Sequence, residues 1–500
     1  AHRLAWLADA LDRLPGSGIV YTLTVAATEE VAGFLRSRGI TAVAYSGKSD
    51  DAERRQAEDD LLANRIKVLV ATSALGMGFD KPDLGFVVHV GSPSSPIAYY
   101  QQVGRAGRAT ERADVLLLPG AEDHEIWRYF ASTSMPRQEH ADAVLAALAS
   151  ASRPMSTAAL ETVVDVRRTR LELLLKVLDV DGAVRRVTGG WVATGKPWVY
   201  DRDRYERISA ARVAEQRSML DYEQTSGCRM EFLQRALDDD TAVACGRCDN
   251  CAAPWYPAGL SAEAAAAAAW SLDRVGVQIE PRAQWPTGVA SLGVNVRGNI
   301  APAERLAPGR ALARLTDLGW GGALRDLFSP PAGGGGGAAD GGAAADGGAA
   351  AGGNAGPSPT DAPASPAMLA ACIRVLAEWN WDERPAAIVT VPSRRHPLLI
   401  ESVAGTFSEA GRLPLLGSLE HASGGPTGTS GGNSAYRLAN VWERFAVGAE
   451  LAEAMEAYAG RPILLVDDIA DSRWTLTVTG RALRRAGASA VLPFTLAVRS

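Results

Sequence analysis

From residue 16 to 119, short apolar runs alternate with polar stretches of helical length. Gly18-Ile-Val-Tyr-Thr-Leu, Thr41-Ala-Val-Ala-Tyr, Ile66-Lys-Val-Leu-Val-Ala and Phe86-Val-Val-His-Val read as buried strands, with Glu29–Arg38 and Asp50–Ala63 as helices between them. That alternation predicts a parallel sheet of α/β type. It returns near the C-terminus, where Ala386-Ala-Ile-Val-Thr-Val and Arg461-Pro-Ile-Leu-Leu-Val are the expected strands. The middle reads as mostly helical, with Leu171, Leu174, Leu175 and Leu178 covering one helix face. Residues 138–198 run as helix, a helix opening at Ser156-Thr157, a longer helix from Arg167, then a hairpin Val184–Ala193 turning at Gly189-Gly190. There is no internal repeat.

Composition sets the outer limits. A chain of 500 residues allows about three domains. No apolar run reaches the 18 residues or so a membrane span needs. The N-terminus, Ala1-His-Arg-Leu-Ala-Trp, lacks a signal-peptide layout, so a cytoplasmic protein is expected. Five cysteines cannot form a disulfide scaffold for such a length. A net charge of −6 argues against a uniformly basic nucleic-acid coat but leaves room for a local basic face. Pro331 to Pro366 contains 12 Gly and 12 Ala and cannot bury enough apolar surface to offset its ordering entropy. It is expected to be a flexible tether reaching roughly 30–36 Å.

Two loops at strand ends carry chemistry. One is Ala71-Thr-Ser-Ala-Leu-Gly-Met-Gly-Phe-Asp-Lys-Pro-Asp83; the other is Tyr99-Tyr-Gln-Gln-Val-Gly-Arg-Ala-Gly-Arg108. Paired arginines behind small glycines suit close approach to a polyphosphate and neutralisation of charge during phosphoryl transfer. Taken alone, Arg105 and Arg108 would read as a solvated helix face; the strand-loop context favours the functional reading. With Gly18-Ile-Val-Tyr-Thr and Gly39-Ile-Thr-Ala-Val-Ala-Tyr-Ser-Gly47, these loops resemble the second RecA-like lobe of superfamily 2 helicases, and within it the RecQ family. The resemblance implies Arg108 as an arginine finger assisted by Arg105, with Gln101 beside them. It places Gly76, Gly78 and Asp80 on the nucleotide, and Ser46, Gly47 and Thr72 on the phosphates of a tracked DNA strand.

A first lobe with its phosphate loop is absent from this sequence. Gly190-Trp-Val-Ala-Thr-Gly-Lys-Pro197 nearly spells that loop, but Pro197 stands where a magnesium-binding hydroxyl is required. ATP and Mg2+ would therefore be completed by a missing lobe, and this chain alone is expected to be inactive as an ATPase.

Cys228, Cys245, Cys248 and Cys251 offer four soft ligands with spacings of 17, 3 and 3. Four thiolates are the set a structural zinc needs; redox thiols are the alternative. The runs Gly227-Cys-Arg-Met-Glu-Phe-Leu and Cys245-Gly-Arg-Cys-Asp-Asn-Cys251 resemble the RecQ zinc subdomain. From Arg153 to Lys196 there are eight basic and five acidic residues. The helix-and-hairpin order there suggests a winged helix with Arg167, Arg168, Arg170, Arg185, Arg186 and Trp191 toward DNA; a helical spacer is the alternative. In RecQ proteins the winged helix follows the zinc site, whereas here it precedes it.

Ile463-Leu-Leu-Val-Asp-Asp-Ile-Ala-Asp-Ser-Arg-Trp-Thr475 resembles a phosphoribosyltransferase signature, with Asp467 and Asp468 for ribose and Ser472 and Thr475 for phosphate. Val391-Pro-Ser-Arg-Arg-His396 would be its pyrophosphate loop and Ala422–Asn433 its hood. Arg473 and Trp474 replace the glycine and small residue of that pattern; Arg473 is expected to reach phosphate and Trp474 to offer a face for a base.

The sequence thus predicts an α/β multidomain chain: a RecA-like lobe at 1–132, a winged-helix-like domain at 135–200, and a tetracysteine zinc-binding subdomain at 203–255. A helical accessory segment at 256–330, a flexible linker at 331–366 and a tethered phosphoribosyltransferase-like domain at 367–500 follow. The leading reading is the C-terminal part of a monomeric, ATP-dependent, 3′–5′ RecQ-like DNA helicase acting in repair or recombination, associated with the nucleoid when bound to DNA. A nucleic-acid-binding adaptor, or a phosphoribosyltransferase with DNA-targeting domains, are the alternatives.

Overall fold

The computed structural model describes residues 1–499 apart from 48, 76–77, 134–135, 329–360 and 428–431. Two compact units divide it, and the chain passes between them more than once. The first contains 1–135, 199–274 and 316–319; the second contains 136–198, 275–315 and 320–500.

The first unit is built on a parallel sheet of β1 (Gly18–Thr22), β2 (Ala42–Tyr45), β3 (Val68–Ala71), β4 (Phe86–Val90) and β5 (Asp114–Leu118), in the order β2-β3-β1-β4-β5. Its central strands are buried on both faces, which is why they read as unbroken apolar runs. One face is covered by helices His2–Ala10, Val25–Ser37 and Ala262–Leu272. On the other face Met219 and Tyr222, from the 23-residue helix Arg202–Gln224, join Leu233 in a shared core with the lobe.

The second unit carries a six-stranded sheet in the order β11-β10-β14-β15-β9-β8. Its strands are β8 (Val277–Ile279), β9 (Gly309–Arg314), β10 (Ala387–Thr390), β11 (Leu415–Ser418), β14 (Ile463–Ala470) and β15 (Val491–Val498). All neighbours are parallel except β8 and β9. The short pair β12 (Glu420–His421) and β13 (Phe445–Ala446) stands beside it. Residues 138–193 form three helices, Gln138–Ser150, Thr157–Glu161 and Arg168–Val180, and the antiparallel hairpin β6 (Val184–Val187) and β7 (Gly190–Ala193). The four leucines read from the sequence close one core with Ala141, Val144, Leu160 and Trp191.

The architecture corrects two expectations. The segment 256–330 is not a helical accessory: its first helix packs on the lobe, while β8 and β9 extend the C-terminal sheet and Leu324 enters that sheet's core. The linker ends earlier than residue 366. Asp361 accepts the backbone N–H of Leu398 at 2.9 Å, and Ser365 caps the helix Pro366–Ala377. The rest of that linker, 331–360, lies outside the described residues. Because β9 precedes it and β10 follows it, it joins two parts of one sheet and does not tether a separate module.

Candidate functional site

The first motif loop leaves the carboxyl end of β3, the edge where α/β folds present ligand-facing loops. The second follows β4 through the helix Pro96–Val103 and ends against the residues that lead into β4, with the Gly107 N–H on the Leu84 carbonyl at 3.2 Å and the Ala109 N–H on the Pro82 carbonyl at 2.8 Å. Ser46 and Gly47 follow β2 and Thr72 follows β3. Ser46 is buried, whereas Gly47 and Gly78 are exposed with open space around them. The Thr72 hydroxyl accepts the N–H of Ala74 at 3.3 Å, a local turn that starts the loop. Gly76 lies outside the described residues.

The arginines are positioned by helix Pro96–Val103. Ser95 caps it through the N–H of Ala98, and Pro96 occupies its first turn, where a missing N–H costs nothing. After Gly104 the chain turns through Gly107 at φ +75°. Arg105 points inward, buried, and donates to the carbonyls of Phe79 at 2.9 Å and Leu75 at 3.3 Å. Arg108 stays exposed and pairs with Asp80 at 2.9 Å. The expected pair therefore separates in role: Arg105 fastens the 72–83 loop to the helix end, and Arg108 is the guanidinium open to solvent.

Gln101 is also exposed, but its neighbour Gln102 bonds His89 Nε2 at 2.7 Å. That imidazole is fully buried, so its pKa falls to about 4 and the ring stays neutral. It lies against Tyr21 at 5.0 Å and Tyr99 at 4.8 Å. Lys81, buried with its ammonium on Asp83 at 2.6 Å, completes the loop's anchoring. Sequence reasoning missed Gln102, His89 and Lys81, because the fold alone decides that their side chains meet His89, Gln102 and Asp83 in a buried setting.

The cysteine ligand atoms lie within 4.8 Å of one another, and the Cys228 and Cys248 sulfurs are 4.0 Å apart. Four sulfurs tetrahedral about zinc at about 2.3 Å would sit about 3.8 Å apart. The set is compatible with zinc. Burial disfavours the Cys228 thiolate, but the N–H groups of Glu231 and Cys245 together with the Cys245 and Cys251 side chains outweigh it and bring the thiol down to about 6. Around the cluster, Asn250 donates to the carbonyls of Thr225 and Gly227 at 2.8 Å each, and Arg229 pairs with Asp249 at 2.6 Å.

In the second unit, Asp467 and Asp468 lie in the second half of β14, beside the loop after β10. Asp467 is buried; desolvation and the adjacent Asp468 push its pKa well above the carboxylate range. Asp468 accepts from Ser393 Oγ and His396 Nδ1, each at 3.0 Å. The Ser472 carbonyl accepts from Arg282 at 2.8 and 3.1 Å, and Thr475 is half-buried. Arg473 does adopt a left-handed φ of +66°, the conformation expected where it replaces glycine. Its guanidinium, however, bonds the Glu280 carbonyl at 2.8 Å. Trp474 is 1% exposed, stacked on Trp285 with its N–H on Ser434, so no face is left for a base.

Among the arginines expected on DNA, Arg185 and Arg186 project from exposed positions of β6. Arg168 is held by Glu172 at 3.1 Å and Glu161 at 3.7 Å, Arg167 lies 3.5 Å from Asp471, and Arg170 is half-buried. Trp191 is a correction: it is buried in the core of this helical segment, where a large apolar ring is worth more than it would be in solvent. The end of the expected hood is fixed to the same segment, with Asn433 donating to the carbonyls of Glu161 and Val164 at 2.7 Å each; hood residues 428–431 lie outside the described residues.

Residues 3–110 match the family described as the helicase conserved C-terminal domain. The similarity is to RecQ-type enzymes. The chain is 29% identical over 255 residues to the ATP-dependent DNA helicase RecQ of Synechocystis sp., covering 48% of this chain and 50% of that protein. It is 38% identical over 122 residues to the ATP-dependent DNA helicase Q-like 2 of Arabidopsis thaliana, covering 24% of this chain and 16% of that protein. The chain thus matches half the length or less of these curated relatives. The solved structure of the E. coli DEAD-box protein SrmB bound to RraA aligns over 26% of this chain and 78% of its own, at 29% identity and a TM-score of 0.24. Among the described residues, no helix is long and apolar enough to cross a membrane.

Proposed function

We propose that this chain supplies the C-terminal part of an ATP-dependent, RecQ-like 3′–5′ DNA helicase acting in DNA repair or recombination. The observation that carries the reading is the exposed Arg108 held against Asp80 by a loop that Arg105 fastens from beneath. Arg108 is thereby an exposed guanidinium paired only with a solvated carboxylate, and in this reading it would turn from Asp80 to a nucleotide bound by a partner lobe. ATP and Mg2+ belong mainly to that lobe; this chain would add Arg108, Asp80 and Gly78. Ser46, Gly47 and Thr72 share one edge and suit contacts that position a strand without reading its sequence. Zinc at Cys228, Cys245, Cys248 and Cys251 would hold the cysteine loop as a structural ion. The 138–193 segment acts as a winged helix, with Arg185 and Arg186 as its freest phosphate contacts. The C-terminal sheet acts as a phosphoribosyltransferase-like module used for binding without transfer. Two features support that: Asp468 is already engaged by Ser393 and His396, and Arg473 stands at the loop's left-handed position.

The test is reconstitution with a first lobe carrying a phosphate loop. DNA-stimulated ATPase should appear only in the joined protein, and Arg108→Ala should reduce turnover on the order of 10³-fold, as loss of an arginine finger does. ATP hydrolysis by this chain alone, or full activity in the variant, refutes the assignment.

A further inference from the structure

The sheet of the second unit has a second charged site, at the end opposite its carboxylates. β10, β11 and β14 are parallel neighbours, so the residues just before them gather at one edge. There an open cleft of about 590 Å³ is lined by Arg384, Arg412, Arg461, Pro385, Gly411 and Leu413, with Ala410. Asp468 lies five positions along β14 from its start, about 16 Å away at the rise of a strand. The cleft is therefore separate from the Asp467–Asp468 site.

Three arginines line this cleft and, among the described residues, no carboxylate does. The Ala386 N–H on the Pro462 carbonyl, at 2.8 Å, fixes the register that sets Arg384 and Arg461 side by side. Arg384 spends one donor on the Gly411 carbonyl, at the end of helix Pro397–Gly411. Each guanidinium has five donors, so most of its capacity remains. Arg461 has Glu383 at 3.6 Å, with both side chains 59% exposed, a pairing too solvated to neutralise it. Arg412 sits at φ +50°, a left-handed helix end where glycine is the usual residue. A bulky cation kept in a conformation that costs backbone energy is a feature that ligand binding would account for.

Like charges gathered on a concave surface favour an anion with several charges at matching intervals, and arginine forks fit phosphate oxygens. The cleft is open to solvent, which suits a strand lying across it more than a small molecule enclosed in it. We infer that this cleft binds consecutive phosphates of a nucleic-acid strand, giving the second unit a backbone contact independent of the motor lobe. A free polyphosphate offers the same chemistry, and the test separates the two.

Binding of a labelled 20-nucleotide oligothymidylate to the full chain is followed by anisotropy across a potassium chloride series. Single-strand binding loses about 0.7 in log–log salt slope per phosphate neutralised, so Arg384→Ala/Arg412→Ala/Arg461→Ala should lower the slope by about 2. Arg412→Ala/Arg461→Ala leaves the Gly411 contact intact, should unfold at the temperature of the parent chain, and should lower the slope by about 1.4. Calorimetry with inorganic tripolyphosphate is the second arm. Oligonucleotide slopes that fall in both variants support the inference. Unchanged oligonucleotide slopes with arginine-dependent tripolyphosphate binding would reassign the cleft to a free polyphosphate and overturn it. Variants that alter neither arm overturn the site altogether. ATP turnover plays no part in these readouts, so their failure is distinct from failure of the motor assignment.

Discussion

Arg105 and Arg108 stand three positions apart and answer to different physics. Arg105 is buried, and its guanidinium carries hydrogen bonds to two loop carbonyls. Removing it strands those acceptors away from water, at a cost on the order of 1–3 kcal/mol. Arg108 and Asp80 are each about half exposed, with side-chain exposures of 49% and 55%. An ion pair in that setting is worth under about 1 kcal/mol. Urea unfolding should therefore separate the two: Arg105→Ala loses on the order of 1–3 kcal/mol, while Arg108→Ala is nearly silent. Equal losses would mean that the inward and outward assignments are wrong. The same test of burial explains Trp474, where sequence alone suggested a stacking platform. Its indole is consumed by Trp285 and Ser434, a pairing contributed by residues 189 and 40 positions away in sequence.

At the scale of elements, what was legible depended on whether a segment's own residues prefer the conformation that the fold imposes. β1, β3 and β4 are β-branched and aromatic and fall where the apolar runs placed them. The cysteine cluster was legible too, since ligand chemistry is written in residue type and spacing. β9 was not. Gly309-Arg-Ala-Leu-Ala-Arg314 is made largely of helix formers, and only pairing with β15 on one side and β8 on the other makes it a strand. Gly309 is the residue that permits it: a Cβ there would run into the Pro493 carbonyl of β15. Gly309→Ala should then cost about 1–3 kcal/mol through overpacking, read as a lowered midpoint of thermal unfolding. No change in the midpoint would show that β9 does not lie against β15. The site divides the same way, because Arg105's carbonyl partners and the His89–Gln102 bond are tertiary facts without a sequence signature.

For the whole molecule, the order of pieces along the chain differs from their order in space. Residues 275–315 belong with 361–499, yet the glycine- and alanine-rich stretch lies between them. A tether would predict a C-terminal module that leaves when that stretch is cut. The sheet predicts the opposite, since β9 pairs with β15 through Phe494↔Arg310, Thr495↔Ala311, Ala497↔Ala313 and Val498↔Arg314, and Leu324 shares a core with Met368, Val375 and Phe407. Those strand hydrogen bonds and buried side chains do not depend on the covalent link. Cutting the link only restores translational freedom to two fragments, a cost that an interface with this much apolar burial can exceed. A protease site placed between residues 340 and 350 should therefore give two fragments that co-elute on size exclusion in native buffer and separate only in denaturant. Fragments that part in native buffer would show that the C-terminal sheet is completed without β8 and β9.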